Sequence, residues 1–82
     1  MQTIKTIDEK YYRALGSELR KIRESRSMTL KQLSKLTGIS RPQLDHYELG
    51  LNKIKKTNWA RICEALQVSE SLKVEVTIGF TK

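Results

Sequence analysis

The stretch MTLKQLSKLTGISRPQLDHYELG, residues 28–50, contains two short helix-forming segments separated by a glycine and an isoleucine. In the first segment, Thr29 and Gln32 have the T-x-x-Q spacing of a capping box, which predicts that a helix begins directly after Thr29. Gly38 predicts the end of this helix, because glycine readily adopts the left-handed conformation that terminates many helices. The buried side of this helix is expected to comprise Leu30, Leu33 and Leu36.

The second segment repeats this pattern, since Ser40 and Gln43 again have the spacing of a capping box. Pro42 falls in the first turn, where the amide has no acceptor within the helix and proline is therefore tolerated. A second helix is predicted from Ser40 to Leu49, and Gly50 is expected to end it. Two capped helices joined by so tight a turn predict a helix-turn-helix motif.

Two further helices are predicted, one before this motif and one after it. Residues from about 8 to 26 carry apolar side chains at spacings of three and four, as on one face of a helix. Thr57 is expected to cap a last helix that runs to about Gln67. The expected apolar faces are Tyr12, Leu15, Leu19 and Ile22 in the first of these helices and Trp59, Ile62, Cys63 and Leu66 in the last.

The end of the chain changes to a period of two. In KVEVTIGF, residues 73–80, apolar residues alternate with polar or small ones, which predicts a β-strand. An isolated strand is unstable in water, so it requires a partner. We expect the same strand of a second subunit, and the alternative is residues 3–7, TIKTI. The residues assigned to dimerisation are Val74, Val76, Ile78 and Phe80.

The predicted fold class is all-α, with four to five helices and a C-terminal β-strand. The predicted organisation is an N-terminal arm over residues 1–10, a helix-turn-helix domain over 11–69 and a dimerisation strand over 70–82. A chain of 82 residues is a single small domain, too small for a deep substrate cavity.

Composition narrows the class of function. The net charge is +7, and residues 51–63 contain three lysines and one arginine but no acid, which predicts a polyanion as partner; a merely solubilising charge is the alternative. One cysteine and one histidine provide neither an internal disulfide nor a four-ligand zinc site, and no cofactor is expected. With neither an apolar run of membrane-spanning length nor a signal peptide, the expected location is the cytoplasm.

Residues 28–50 resemble the helix-turn-helix motif of the lambda-repressor-like (XRE/Cro) family. RICEALQVS, residues 61–69, is similar to the closing helix of that family, of the kind KIAKALGVS, so the resemblance covers about residues 11–69. It implies a domain of four or five helices whose third helix lies in the major groove of DNA. The motif positions in register are Leu33, Gly38, Ile39, Ser40, Leu44, Tyr47, Glu48 and Gly50.

The resemblance also implies which residues contact DNA bases. Helical register places Leu44 and Tyr47 on one side of the third helix and its polar residues on the other. On that outer side, Arg41 is suited to bidentate pairing with guanine, and His46 can donate or accept a hydrogen bond. The base-contacting residues predicted are Arg41, Pro42, Asp45 and His46, of which Pro42 suits a thymine methyl group and Asp45 a cytosine.

Contacts to the DNA backbone are expected from polar and basic residues around this helix. The residues predicted to contact phosphates are Lys31, Gln32, Ser40, Gln43, Asn52, Lys53, Lys55 and Lys56. Members of the family commonly have glutamine where this chain has Leu30, so one familiar phosphate contact is absent or is replaced by Lys31. The resemblance further implies a structural ion pair between Arg23 and Glu48.

The function predicted is that of a sequence-specific regulator of transcription that binds double-stranded DNA. It is expected to be repressor-like, of the phage or plasmid type, and to bind an inverted repeat as a homodimer. The alternatives are an antitoxin that also regulates its own synthesis, with a toxin or antirepressor protein as a further partner, and a protein-interaction module with the same fold. An enzyme is rejected, because nothing supplies a nucleophile, an oxyanion hole or a pocket.

Overall fold

The computed structural model describes residues 6–72, with side chains from residue 9 onward. This part of the chain contains four α-helices joined by turns and loops. The first helix is the longest, and the second and third are the two short helices of the motif. In order along the chain they are α1 (Thr6–Ser25), α2 (Leu30–Thr37), α3 (Arg41–Leu49) and α4 (Lys56–Leu66).

Local hydrogen bonds define the two ends of α2 as the sequence predicts. The backbone N–H of Gln32 donates to the Thr29 hydroxyl at 3.0 Å, and the Thr29 N–H donates to the Gln32 side chain at 2.8 Å. Both halves of the capping box are therefore formed, which satisfies two N–H groups that the helix itself cannot. At the other end, Gly38 has a φ of 77°, the left-handed conformation expected of a terminating glycine.

Helix α3 begins and ends at the predicted residues, but its cap is half of a capping box. The Ser40 hydroxyl accepts the backbone N–H of Gln43 at 3.3 Å, and Gly50 ends the helix with a φ of 75°. The side chain of Gln43 does not complete the box; its amide donates to the Tyr47 hydroxyl at 2.9 Å. One local contact, between residues one turn apart in α3, has thus replaced another.

The hydrophobic core lies where all four helices meet. Helix α1 packs against α3, while α2 packs against both α3 and α4. Ile39, in the turn between α2 and α3, is also buried in this core. The core cluster comprises Leu19, Leu33, Ile39, Leu44, Tyr47, Ile62 and Leu66.

The predicted fold class is wrong in including a C-terminal β-strand. The region from residue 6 to residue 72 is entirely helical or irregular and contains no β-strand, so the described fold is all-α with four helices. Residues 73–80, to which the strand was assigned, lie outside the described residues. Of the alternative partner segment, 3–7, residues 6 and 7 belong to α1.

Two predictions about individual residues are wrong, the burial of Leu36 and the capping of α4 by Thr57, whereas Trp59 packs partly buried against the core. Leu36 is 62% exposed, since it lies at the edge of α2 beyond the reach of the core. Trp59 is half-buried, and its indole N–H donates to the carbonyl of Glu70 at 2.9 Å. Helix α4 begins one residue before Thr57, with Lys55 at the N-cap and no side-chain hydrogen bond there.

Between residues 6 and 72, two residues that are not glycine adopt the left-handed conformation. Ser27 has a φ of 54° in the turn before α2, and Gln67 has a φ of 61° where α4 ends. The closing helix that the sequence resembles has glycine at the position of Gln67. Gln67 thus adopts a backbone conformation to which glycine is better suited.

Candidate nucleic-acid interface

Helix α3 has one buried face and one polar exposed face. Leu44, Tyr47 and Glu48 are buried against the other helices. The opposite face carries the four residues predicted to contact bases, and Leu49 continues it with 47% exposure. The exposed residues of this face are Arg41, Pro42, Asp45, His46 and Leu49.

A close backbone contact fixes the position of α3 against α1. A Cβ atom at Gly16 of α1 would overlap the carbonyl oxygen of Tyr47 and would lie 2.6 Å from that of Glu48. Only glycine therefore permits the two helices to approach this closely. The close approach holds the C-terminal half of α3 rigidly, which is a requirement for presenting its outer face in a defined orientation.

A buried ion pair reinforces this contact. The Nε of Arg23 donates to one carboxylate oxygen of Glu48 at 2.6 Å, and its Nη2 donates to the other at 3.0 Å. Nη1 of the same guanidinium donates to the carbonyl of Met28 at 2.7 Å, so the pair also holds the turn before α2. The hydrogen bond to Glu48 raises the pKa of Arg23 above its ordinary value.

A second polar cluster joins α3 to α4. The Tyr47 ring is 1% exposed, and its hydroxyl oxygen accepts from the Gln43 side-chain amide at 2.9 Å and from the Asn58 amide at 2.8 Å. Sequence reasoning missed Tyr47 and Asn58 as polar partners, because their contact depends on how α4 returns to α3. The Asn58 hydrogen bond holds the first turn of α4, which begins at Lys56, against α3.

The eight residues predicted to contact phosphates fall into three groups. Gln32 and Ser40 act as capping residues of α2 and α3, so their side chains are held at the N-terminal ends of those helices. Gln43 is half-buried and belongs to the cluster around Tyr47. The remaining five are exposed on α2, in the loop after α3 and at the start of α4: Lys31, Asn52, Lys53, Lys55 and Lys56.

The described residues provide neither a redox centre nor a metal site. Cys63 is buried, and its burial raises the pKa of the thiol to about 11, so it is a neutral core side chain at physiological pH. Between residues 6 and 72 no group of histidine, cysteine or acidic side chains is arranged to hold a metal ion. The same part of the chain contains no helix long and apolar enough to cross a membrane.

A short helix that is buried on one side, polar on the other and preceded by a second short helix at a tight turn defines a helix-turn-helix DNA-binding protein. Residues 19–73 match the helix-turn-helix family HTH_3, the XRE or lambda-repressor-like group, and the chain belongs to this family. This membership places the chain among DNA-binding regulators of transcription.

Solved structures show the same fold. The restriction-modification controller protein C.AhdI from Aeromonas hydrophila is 22% identical, with a TM-score of 0.70 over 72% of this chain and 89% of that one. An HTH_3 family transcriptional regulator from Vibrio cholerae is 26% identical, with a TM-score of 0.73 over 78% of this chain. The match spans 36% of the length of the Vibrio protein. No curated protein matches the sequence significantly.

Proposed function

We propose that the chain is a sequence-specific transcriptional regulator of the repressor type, which binds an inverted repeat in double-stranded DNA as a homodimer. The observation that carries this proposal is the exposed face of α3. Its polar side chains project from a helix whose opposite face is fixed by Gly16 and by the ion pair of Arg23 with Glu48. A rigid helix with an exposed polar face matches the geometry of major-groove recognition.

The side chains of this face differ in what they can recognise. Arg41, in the first turn, is suited to donate two hydrogen bonds to the O6 and N7 atoms of a guanine. His46 lies one turn further along the same face and can contact a base edge as donor or acceptor. Pro42 offers an apolar contact to a thymine methyl group, and Asp45 is an acceptor for a cytosine amino group.

The basic residues around α3 provide the backbone contacts. Lys31 on α2 and the lysines between α3 and α4 are exposed, and the sequence from residue 49 to residue 63 contains no acid. A domain placed with α3 in the major groove brings such flanking cations close to phosphates on either side. In a homodimer, the two α3 helices would lie about 34 Å apart, in successive major grooves.

Binding to random-sequence duplex DNA tests the DNA-binding part of this proposal. If the bound protein neutralises about six phosphates, its affinity for duplex DNA is expected to fall about a thousandfold between 50 and 200 mM salt, because each contact releases a counterion. The measurement is a titration of labelled duplex at several salt concentrations. An affinity that is nearly independent of salt would exclude this mode of binding and favour a protein-interaction module.

Replacing Arg41 with alanine tests the assignment of base contacts. Bound sequences selected from a random duplex pool should show a two-fold symmetric consensus for the wild-type protein. The Arg41→Ala variant is expected to lose preference at one base pair of each half-site, at a cost of about 1–3 kcal/mol per contact. Arg61→Ala, which removes the same charge from an exposed position on α4, is the matched control and should keep the full consensus.

Two outcomes would contradict these assignments. If Arg41→Ala weakened binding equally at every sequence, Arg41 would be a phosphate contact and not a base contact. An asymmetric consensus of a single half-site, together with a monomeric mass in sedimentation, would remove the homodimer from the proposal.

A further inference from the structure

We propose that residues 73–80 of this chain bind in a groove between α1 and α4 of their own subunit. The groove has a volume of about 240 Å³ and lies where α1, the loop before α4 and the first turns of α4 meet. This inference goes beyond the proposed function and does not depend on DNA binding. The residues that line the groove are Tyr11, Tyr12, Leu15, Ile54, Lys56 and Trp59.

The walls of the groove are mostly aromatic and aliphatic. The rings of Tyr11 and Tyr12 on α1 meet edge to face, with their centroids 5.0 Å apart, and Leu15 is buried one turn further along the helix. On the other side, Ile54 and Trp59 are half-buried and pack against the hydrophobic core. A concave surface of this composition suits apolar side chains better than a charged ligand.

The groove separates two helices that are not closely packed against each other. The closely packed pairs of helices are α1 with α3, α2 with α3 and α2 with α4, so α1 and α4 are held together mainly through the other two helices. A segment that binds between α1 and α4 removes apolar surface of both from water at once, which stabilises their relative position. The occupant is therefore expected to be a segment with several apolar side chains.

The chain leaves α4 and reaches a wall of this groove before residue 73. The indole N–H of Trp59 donates to the carbonyl of Glu70 at 2.9 Å. The turn that follows is closed by the backbone N–H of Leu72, which donates to the carbonyl of Ser69 at 3.1 Å, and Leu72 is half-buried. The segment 73–80 thus starts three positions after a residue that contacts the groove wall.

The composition and length of this segment fit the groove. Every second residue is apolar: Val74, Val76, Ile78 and Phe80. Eight residues can reach about 26 Å when extended, whereas neighbouring helix axes are only about 8–10 Å apart, so the segment can cross from α4 to α1. A segment tethered this close to its site has an effective concentration of the order of millimolar, which favours its own subunit over a second copy. The proposed homodimer would then use another surface.

The fluorescence of Trp59, the only tryptophan of the chain, tests this inference. One full-length variant has serine at the four apolar positions of the segment. A matched control has serine at the four intervening positions, which are Lys73, Glu75, Thr77 and Gly79, and neither set changes the net charge. In the first variant the emission should shift to longer wavelength and quenching by acrylamide should become about twofold stronger, because the half-buried indole loses apolar cover. The control should match the wild-type protein, and equal quenching in all three proteins would overturn the proposal.

A second substitution, on the groove wall, separates binding of the segment from a general loss of stability. Tyr11→Ser should lower the melting temperature of the wild-type protein more than that of the serine variant, because the contact is already lost there. Leu36→Ser, at an apolar residue of α2 that is 62% exposed, is the control and should lower both equally. Additive effects of Tyr11→Ser would contradict the proposal. If the fourfold variant is unfolded at the assay temperature, Phe80→Ala replaces it in both measurements.

Dilution distinguishes the subunit's own groove from that of a second copy. The quenching of the wild-type protein should stay constant as it is diluted from dimer to monomer, because the segment and the groove belong to one chain. Quenching that increases as the dimer dissociates would assign the segment to the groove of a second copy, and the inference would be wrong.

Discussion

Replacing Glu48 with alanine is expected to lower the free energy of unfolding by about 3–5 kcal/mol, because it leaves the Arg23 guanidinium buried without its partner. The guanidinium donates two hydrogen bonds to this carboxylate, and both side chains are buried. Small domains are stable by only about 5–15 kcal/mol in total, so the variant should be partly unfolded near 37 °C. Chemical denaturation followed by circular dichroism measures the change.

The exposed ion pair of the same helix is the control. Arg20 and Glu24 lie 3.2 Å apart, but their side chains are 58% and 55% exposed. Replacing Glu24 with alanine should therefore change stability by less than about 1 kcal/mol. If Glu48→Ala cost no more than Glu24→Ala, the buried pair would contribute nothing specific to the fold.

Replacing Gly16 with alanine is expected to destabilise the protein by about 2 kcal/mol, although it improves helix propensity. In an isolated helix this change is favourable by about 1 kcal/mol. Here the added methyl group would collide with backbone carbonyl oxygens of Tyr47 and Glu48, which cannot rotate away as a side chain would. Helix α1 must then move away from α3. Overpacking against rigid backbone is expected to cost about 3 kcal/mol, the upper end of the usual range, so a net loss of about 2 kcal/mol remains after the propensity gain.

Two comparisons identify the cause of that loss. Ser17→Ala, at the next position of α1, is exposed and should be neutral or slightly stabilising. Gly38→Ala meets no atom within 4 Å but keeps a φ of 77°, so its cost should be limited to the left-handed backbone, about 1–2 kcal/mol. A stabilised Gly16→Ala variant would show that α1 and α3 are not in direct backbone contact in solution.

The parts of the fold that were predictable depend on interactions between residues close in sequence. The capping box of Thr29 with Gln32 and the terminating glycines Gly38 and Gly50 involve partners within three or four positions. These local interactions contribute similar energies in many tertiary contexts. They therefore predict where the two helices of the motif begin and end. The outward direction of Arg41 and His46 likewise follows from helical period once Leu44 and Tyr47 are assigned to the core.

The unpredicted parts depend on contacts between distant segments. Leu36 satisfies the apolar spacing of α2 and is nevertheless exposed, because burial requires a facing helix as well as a period. The hydrogen bond from the Asn58 amide to the Tyr47 hydroxyl joins α4 to α3, and no local pattern predicts it. The fold of residues 6–72 has four helices and no strand, and residues 73–80, for which a strand is predicted, lie outside the described residues.

The amino-acid sequence by itself determined the helix-turn-helix motif and the identity of the residues on its outer face, because caps, glycines and helical period act over a few residues. Only the tertiary structure decided how α3 is held and what surrounds it. The contact at Gly16 depends on the packing of α1 against α3, and the hydrogen bond of Asn58 with Tyr47 depends on where α4 lies relative to α3. No local pattern specifies such contacts, since their energies exist only when the whole core has formed.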